Sequence, residues 1–369
     1  MNSNGLKILI TTVILSIPSD FEEGIVINYS EKEIQQMIKV QEKEAKKNKL
    51  EEIISKTKYP ELNIQTAYVT PADKTSYGRR LGYFQKFLKK RGHNVDLLFK
   101  DSVMIYTNIK DKFRPPDSLI SPEFLNYKNC LRAKGKNRCS EEYELAYQYY
   151  KKKLQLDIKK QAIPLFIDLH YDFLDSLEQN SGVPKEITAA IIGVESNFGD
   201  YTGEYNPFSV FVSFYVNNFR VKMAKNQMLA LLDNFSLEEI SELNSSHSGA
   251  LFAFQYMPSS IEPYSIGNPR NLHDNLASID NYLSSHFNGS YEDAIWAYNR
   301  SRMYIKAVLE LSGAAVLSNP DFTERPEWLP ESALLANIEQ FPKATIMLSL
   351  KNEQKTNTYS TGSSTDSGL

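Results

Sequence analysis

The chain has 369 residues, with 42 Lys and Arg against 45 Asp and Glu and a net charge of −3; its pI is near 6.1. That length suffices for one large domain or two modest ones with a real hydrophobic core. With no global basic field, nucleic acid is excluded as the expected partner.

Residues 1–19 contain Lys7, an apolar run from Ile8 to Ile17, then Pro18 and Ser19. The pattern is that of a secretory signal without an Ala-x-Ala cleavage site, and a buried strand opening a domain is the other reading. The run is too short to span a bilayer comfortably. No cysteine follows it to take a lipid anchor, so the chain is expected to be soluble in its compartment or loosely attached.

Residues 30–57 are predicted to be a helix. Ser30 and Glu33 make a capping-box pattern, and Ile34, Met37, Ile38, Ala45, Leu50, Ile53 and Ile54 make an apolar face opposite a solvated face of lysines and glutamates. From Thr75, the segment from Gly82 to Gly92 followed by Val95 to Phe99 predicts two short helices broken at Gly92. Pro115-Pro116 marks a turn before another helical stretch. Cys130 and Cys139 are the only cysteines and flank a turn-prone Lys-Gly-Lys-Asn. A disulfide across this loop fits an oxidising compartment, and two unrelated free thiols is the alternative. Residues 140–180 are rich in tyrosine and lysine at helical spacing, interrupted at Pro164. Such tyrosines can be sugar platforms, but core packing is their commoner use.

Gly182-Val183-Pro184-Lys185-Glu186 reads as a helix start, because proline at the first helical position loses no hydrogen bond. The helix is predicted from about Pro184 to Phe198. Ile187, Ile191, Val194 and Phe198 form its buried stripe, with Thr188, Ile192 and Glu195 beside it. Glu195 therefore stands at the margin of a core, just before a stop at Gly199. Desolvation and the negative end of the helix dipole both push its pKa upward, toward the range of a general acid. Without further context, a glutamate near a helix end is ordinarily a solvated surface residue.

Two later segments supply the context: Ser246-His-Ser-Gly249-Ala250-Leu-Phe-Ala-Phe-Gln255-Tyr256-Met257-Pro258-Ser259-Ser260, and Ala294-Ile-Trp-Ala-Tyr298-Asn299-Arg-Ser301-Arg-Met-Tyr304. In this order and spacing, over about residues 180–312, the chain resembles the lytic transglycosylases of the lysozyme-like superfamily. The Met-Pro-Ser-Ser ending, Gly-Val-Pro-Lys-Glu and Tyr-Asn-x-Ser-x-x-Tyr are closest to the membrane-bound lytic murein transglycosylase B branch. Glu-Ser at 195–196 and the short path from Pro258 to Tyr298 lean toward the soluble branch.

The resemblance implies an all-α chain, a lysozyme-like catalytic domain preceded by a helical N-terminal region. The expected division is a signal peptide at 1–19, a helical region at 20–160, the transglycosylase domain at 161–315, a C-terminal segment at 316–350 and a disordered tail at 351–369. It implies cleavage of peptidoglycan glycan strands in the periplasm or cell envelope, with 1,6-anhydromuramoyl products and no cofactor or metal. Cell-envelope assembly partners are an open expectation. Glu195 would be the catalytic acid and base. Ser246, Gln255, Met257, Tyr298 and Asn299 would bind substrate, Ser246 on the N-acetyl group or Glu195 and Asn299 beside Tyr298.

Departures from the family pattern are specific. Phe252 stands where a glycine is usual, and Ala253-Phe254 replaces a segment that often holds another. Asn218 and Phe219 occupy the places of an arginine pair, and Ile266-Gly-Asn-Pro-Arg270 has no carboxylates for the calcium seen in some B-type enzymes. Asp200 and Glu204 lie near Glu195 in sequence without a partner motif, and both are expected to be solvated. Either one across the cleft would favour hydrolysis, as in a goose-type lysozyme. A non-catalytic glycan-binding or scaffold protein is the reading from outside enzymes. The five histidines form no His-x-x-x-His pair for zinc, and no nucleophile elbow or phosphate loop is present.

Overall fold

The computed structural model describes residues 30–59, 63–115, 117–135 and 138–337. The signal-like residues 1–19, the tail 351–369, the last part of the 316–350 segment and Pro116 lie outside the described residues. The chain divides into two compact units, residues 1–45 and 46–369. In the first, the described residues are the opening of α1 (Glu31–Ile54). Its cap is reciprocal: the Ser30 N–H donates to the Glu33 carboxylate at 2.7 Å, and the Glu33 N–H donates to Ser30 Oγ at 3.3 Å.

The second unit begins with the end of α1, where Leu50 and Ile53 are buried. There follow β1 (Thr66–Val69), α2 (Ser76–Lys90), β2 (Val103–Tyr106), α3 (Ile109–Phe113), α4 (Pro122–Lys134), α5 (Ser140–Leu154), α6 (Leu156–Leu169) and α7 (Tyr171–Ser181). The chain continues through α8 (Lys185–Ser196), α9 (Pro207–Val216), α10 (Val221–Asn234), α11 (Leu237–Glu242) and α12 (Ile261–Tyr264). It closes with α13 (Leu272–His286), α14 (Tyr291–Tyr298), α15 (Arg302–Ser318) and α16 (Glu331–Leu335).

The fold class is all-α, as predicted. The one sheet among the described residues is the antiparallel pair β1–β2, with Thr66 opposite Tyr106 and Val69 opposite Val103. Its β-branched and aromatic residues suit a pleated surface, but four residues a strand are too few for a period-two signal to stand out.

Three predicted boundaries shift. After α2 and Gly92 (φ +94°), the second expected helix is a single 3₁₀ turn, Leu97–Phe99. Pro164 does not interrupt its segment: it lies inside α6, and the breaks fall at Gln155 (φ 52°) and His170. A proline removes one helix bond and crowds one carbonyl, a local cost that a helix burying Ile163 and Phe166 sustains. The helix expected from Pro184 to Phe198 is α8, shorter at both ends, with Pro184 as its N-cap and Asn197 as its C-cap.

α8 runs through the core, packed on α6, α13 and α15. Every residue from Ile187 to Gly193 is buried. The predicted stripe is thus part of a helix that is apolar all round, the mark of a central element. Beyond that buried run, the last turn is partly exposed again at Val194 and Glu195.

Candidate active site

That last turn carries Glu195. Beyond it, Asn197, Phe198 and Gly199 all take left-handed φ values, 53°, 63° and 93°, so the chain reverses sharply. The Phe198 N–H donates to the Ile192 carbonyl at 3.2 Å, and Ser196 Oγ accepts from the Gly199 N–H at 3.1 Å. These bonds satisfy the helix end that a left-handed cap leaves open. Phe198 folds back onto Phe166, ring centroids 5.0 Å apart.

Burial pushes the Glu195 carboxyl up from 4.5 to about 7, against the Tyr304 hydroxyl and the Lys159 ammonium, which favour its ionised form. Tyr304 is buried, is set at the start of α15 by the Ser301 cap, and has a hydroxyl that reaches toward Glu195 without a close hydrogen bond to any described group. Tyr150 and Tyr298 also lie within the field of Glu195. Burial first, and that carboxylate among their neighbours, holds both phenols above the ordinary range.

The structure places the residues named from sequence unevenly. Tyr298 lies within the field of Glu195, and its hydroxyl donates to the Phe254 carbonyl at 2.5 Å, which ties α14 to the 249–257 loop. That loop is folded by bridges pairing Tyr205 with Ser245, Ser245 with Leu251 and Leu251 with Tyr256. Gln255 (φ 54°) turns its amide onto the Phe252 carbonyl at 2.8 Å. Ser246 Oγ meets Ser248 Oγ at 2.8 Å and accepts from the Ala250 N–H at 3.2 Å, so its hydroxyl organises its own loop and makes no bond to Glu195. Met257 is partly buried and packs against the core. Asn299 is the C-cap of α14, and its side-chain amide makes no hydrogen bond among the described residues.

Phe252 is buried with φ 59° and packs at 5.9 Å from Phe235 and 5.7 Å from Phe254. A backbone region that glycine enters freely is here occupied by an aromatic residue. Its ring lines a cleft of about 280 Å³ together with Gly199, Thr202, Ala253, Arg270 and Leu272. A larger pocket of about 520 Å³ lies beside Trp296, Arg302 and Lys306, and neither it nor the 280 Å³ cleft is lined by Glu195 or by a group that acts on it. Where the arginine pair would stand, Asn218 is left-handed and Phe219 is buried; the nearby guanidiniums of Arg114 and Arg220 lie over the Phe219 and Phe113 rings, at 5.6 and 4.3 Å.

Asp200 accepts from the Tyr59 hydroxyl at 2.8 Å and Glu204 is exposed. Neither is among the groups that act on Glu195. The grouping Cys130, Cys139 and Glu142 has metal-ligand spacing, but its cysteines form a disulfide, which leaves one carboxylate.

Sequence reasoning missed Lys159, Tyr150 and Tyr304 beside Glu195. Tyr304 carried a usable signal, because a serine N-cap three residues before it fixes which way its side chain enters the core. Lys159 and Tyr150 carried none, since both sit among many lysines and tyrosines of a segment distant in sequence.

Residues 128–289 match the family model described as a transglycosylase SLT domain. Comparison with curated proteins gives no match. Among solved structures, the chain is similar to SltB3 of Pseudomonas aeruginosa in complex with NAG-NAM-pentapeptide, at 16% identity and a TM-score of 0.50, over 65% of this chain and 80% of that chain. It is also similar to the Escherichia coli lytic transglycosylase Slt35 in complex with bulgecin A (18% identity, TM-score 0.48, 71% and 99% covered). SltB1 of Pseudomonas aeruginosa is a third (18%, 0.46, 64% and 98%). The likeness to SltB3 shows the fold.

Proposed function

We propose that this chain, whose residues 128–289 match a transglycosylase SLT domain model, is a peptidoglycan lytic transglycosylase that cleaves the MurNAc-GlcNAc bond using Glu195 alone as acid and base. The observation that carries this reading is a carboxyl at about 7 on which a lysine acts and no second carboxylate does. A group titrating there is protonated often enough to give its proton and basic enough to take one back.

The protonated Glu195 donates to the glycosidic oxygen, the C1–O bond breaks with its electron pair leaving on that oxygen, and positive charge develops on the muramoyl ring. The Glu195 carboxylate then removes the C6 hydroxyl proton as that oxygen attacks C1. The product is a 1,6-anhydro sugar, and the glutamate ends protonated. In this reading Asn299 and Gln255 offer amides to the sugar, Tyr298 and Ser246 hold the loop that faces it, and Met257 lines the groove. Sequence features of the 182–186, 257–260 and 298–304 segments support a proposal that the chain is nearest the B branch.

The site of action is the periplasm or cell envelope, a proposal supported by the Cys130–Cys139 disulfide, which persists in oxidising compartments. SltB3 is described with a NAG-NAM-pentapeptide, and the same class of glycan strand is proposed as substrate here.

Mass analysis of digested peptidoglycan tests the reading. Wild type should release anhydromuramoyl products, each one water lighter than lysozyme products, and Glu195→Gln should release none. Reducing-end products would instead assign a goose-type hydrolase and turn attention to Asp200 and Glu204. Binding without any product would leave a glycan-binding scaffold.

A further inference from the structure

Lys159 and Lys160 are neighbours on α6, and both are buried, each 4% exposed. Lys160 has the partner a buried ammonium needs, the Glu310 carboxylate at 2.6 Å. Lys159 has none: among the described residues its hydrogen bond goes to the neutral Asn197 Oδ1 at 3.1 Å. An ammonium withdrawn from water without a counter-charge costs several kcal/mol. The fold sustains that cost at the C-terminal end of α8, where the backbone dipole is negative and where Glu195 stands two residues before Asn197.

The same Asn197 is held from the other side. Its amide nitrogen donates to the Ile54 carbonyl at 3.2 Å and to the Tyr59 hydroxyl at 3.0 Å, while its oxygen also accepts from Thr57 Oγ1 at 3.2 Å. Tyr59 in turn donates to Asp200 and stacks on Tyr201, ring centroids 4.1 Å apart. The ammonium is therefore fixed in place by a network of neutral hydrogen-bonding groups that ends on the Asp200 carboxylate, the first of the charges that support it.

We propose that Lys159 is a positioning residue of the reaction, the standing counter-ion for the carboxylate that Glu195 becomes between giving its proton away and taking one back. Resting on the assignment of Glu195 as acid and base, this explains why one lysine of the pair is left without a carboxylate at ion-pair distance: beside the field of Asp200, its second partner is transient. Both groups feel each other, for Lys159 lowers the Glu195 pKa, and Glu195, after Asp200, supports the charge on Lys159, which burial brings down to about 8. The titratable groups facing the pair are Asp200 on the loop after α8, Tyr150 on α5, Tyr256 on the 249–257 loop, Tyr298 on α14 and Tyr304 on α15.

The test is the pH profile of peptidoglycan digestion by the full chain carrying Lys159→Met or Lys159→Arg. Loss of the cation should move the basic limb of kcat/KM upward by about 1 pH unit and lower kcat at least tenfold with KM little changed. The arginine variant should keep the wild-type limb. A folded methionine variant whose limb and kcat match wild type overturns the proposal, as does an effect confined to KM. A second measurement needs no lysine variant: by NMR of labelled lysine, the Lys159 midpoint should fall in Glu195→Gln, and an unchanged midpoint also overturns it. Failure of the functional reading itself is seen elsewhere, in the chemical identity of the wild-type products.

Discussion

Phe198 folds back over Gly193 so closely that a Cβ on residue 193 would lie 2.8 Å from its ring and 3.3 Å from Leu311 Cδ2. The glycine two residues before Glu195 therefore admits the ring that closes the left-handed turn after it. Gly193→Ala should force Phe198 outward, and overpacking of this kind costs about 1–3 kcal/mol. The loss exceeds any gain in helix propensity, which is about 1 kcal/mol. Urea unfolding should show the lower midpoint, and activity of the folded fraction should fall because the Glu195 turn shifts with the ring. An alanine variant as stable and active as wild type would show that the turn repacks freely.

The Glu195 carboxyl titrates from 4.5 to about 7 on folding, and the sign of its effects follows. In its proposed role as general acid Glu195 must be protonated, so kcat/KM should fall as pH rises through about 7. Stability moves the same way: the folded chain holds this proton more tightly than the unfolded one, so the contribution is full below about 4.5 and lost as pH rises through about 7. The difference amounts to about 3 kcal/mol. Glu195→Gln carries no such loss, so its melting temperature should gain on that of wild type between pH 4.5 and pH 7.5. Lys159, lowered from 10.5 to about 8, changes stability between those two values and stays clear of this window. Parallel melting curves for the two proteins across pH 4.5–7.5 would contradict the burial of the carboxyl.

Phe252 combines a left-handed backbone with a buried ring at the cleft. Phe252→Gly removes backbone strain of about 1–3 kcal/mol but also a core aromatic whose deletion costs about 3–5 kcal/mol. The net effect should be destabilising by about 2 kcal/mol, with a wider groove. Thermal melts should show the first effect, and a lower KM for peptide-substituted strands relative to bare glycan the second. An unchanged KM ratio would mean that the ring does not gate substrate.

How much of this was legible in the sequence varied with how local the cause was. The capping box before α1 and the helix bearing Glu195 were readable, because each rests on residues within a turn of one another. The upward push on Glu195 was readable in direction from its place between a core stripe and a glycine. Its neighbours were not. Lys159 and Tyr150 reach it only through the packing of α5 and α6 around α8, and no periodicity in the 140–180 segment distinguishes those two from the lysines and tyrosines that stay on the surface. Ser246 shows the opposite case: its motif was plain, while its hydroxyl is engaged by Ser248 and the Ala250 amide.

Cys130 and Cys139 are joined, and both are buried. The bridge links the end of α4 to the entry of α5 across a sequence separation of 9. In the chain-entropy account a loop of that size contributes about 2–3 kcal/mol. Replacing both cysteines by alanine should lower the melting temperature, with kcat at low temperature retained because neither residue acts on Glu195. The bond also bears on location, since a reducing cytoplasm would keep the thiols free. Protein recovered from the periplasm of an expressing cell under alkylating conditions should take up no alkylating agent until it is reduced, then two equivalents. Full-length chain confined to the cytoplasm with both thiols reactive would refute the export proposal, whereas exported chain with free thiols would refute the disulfide and leave the location standing.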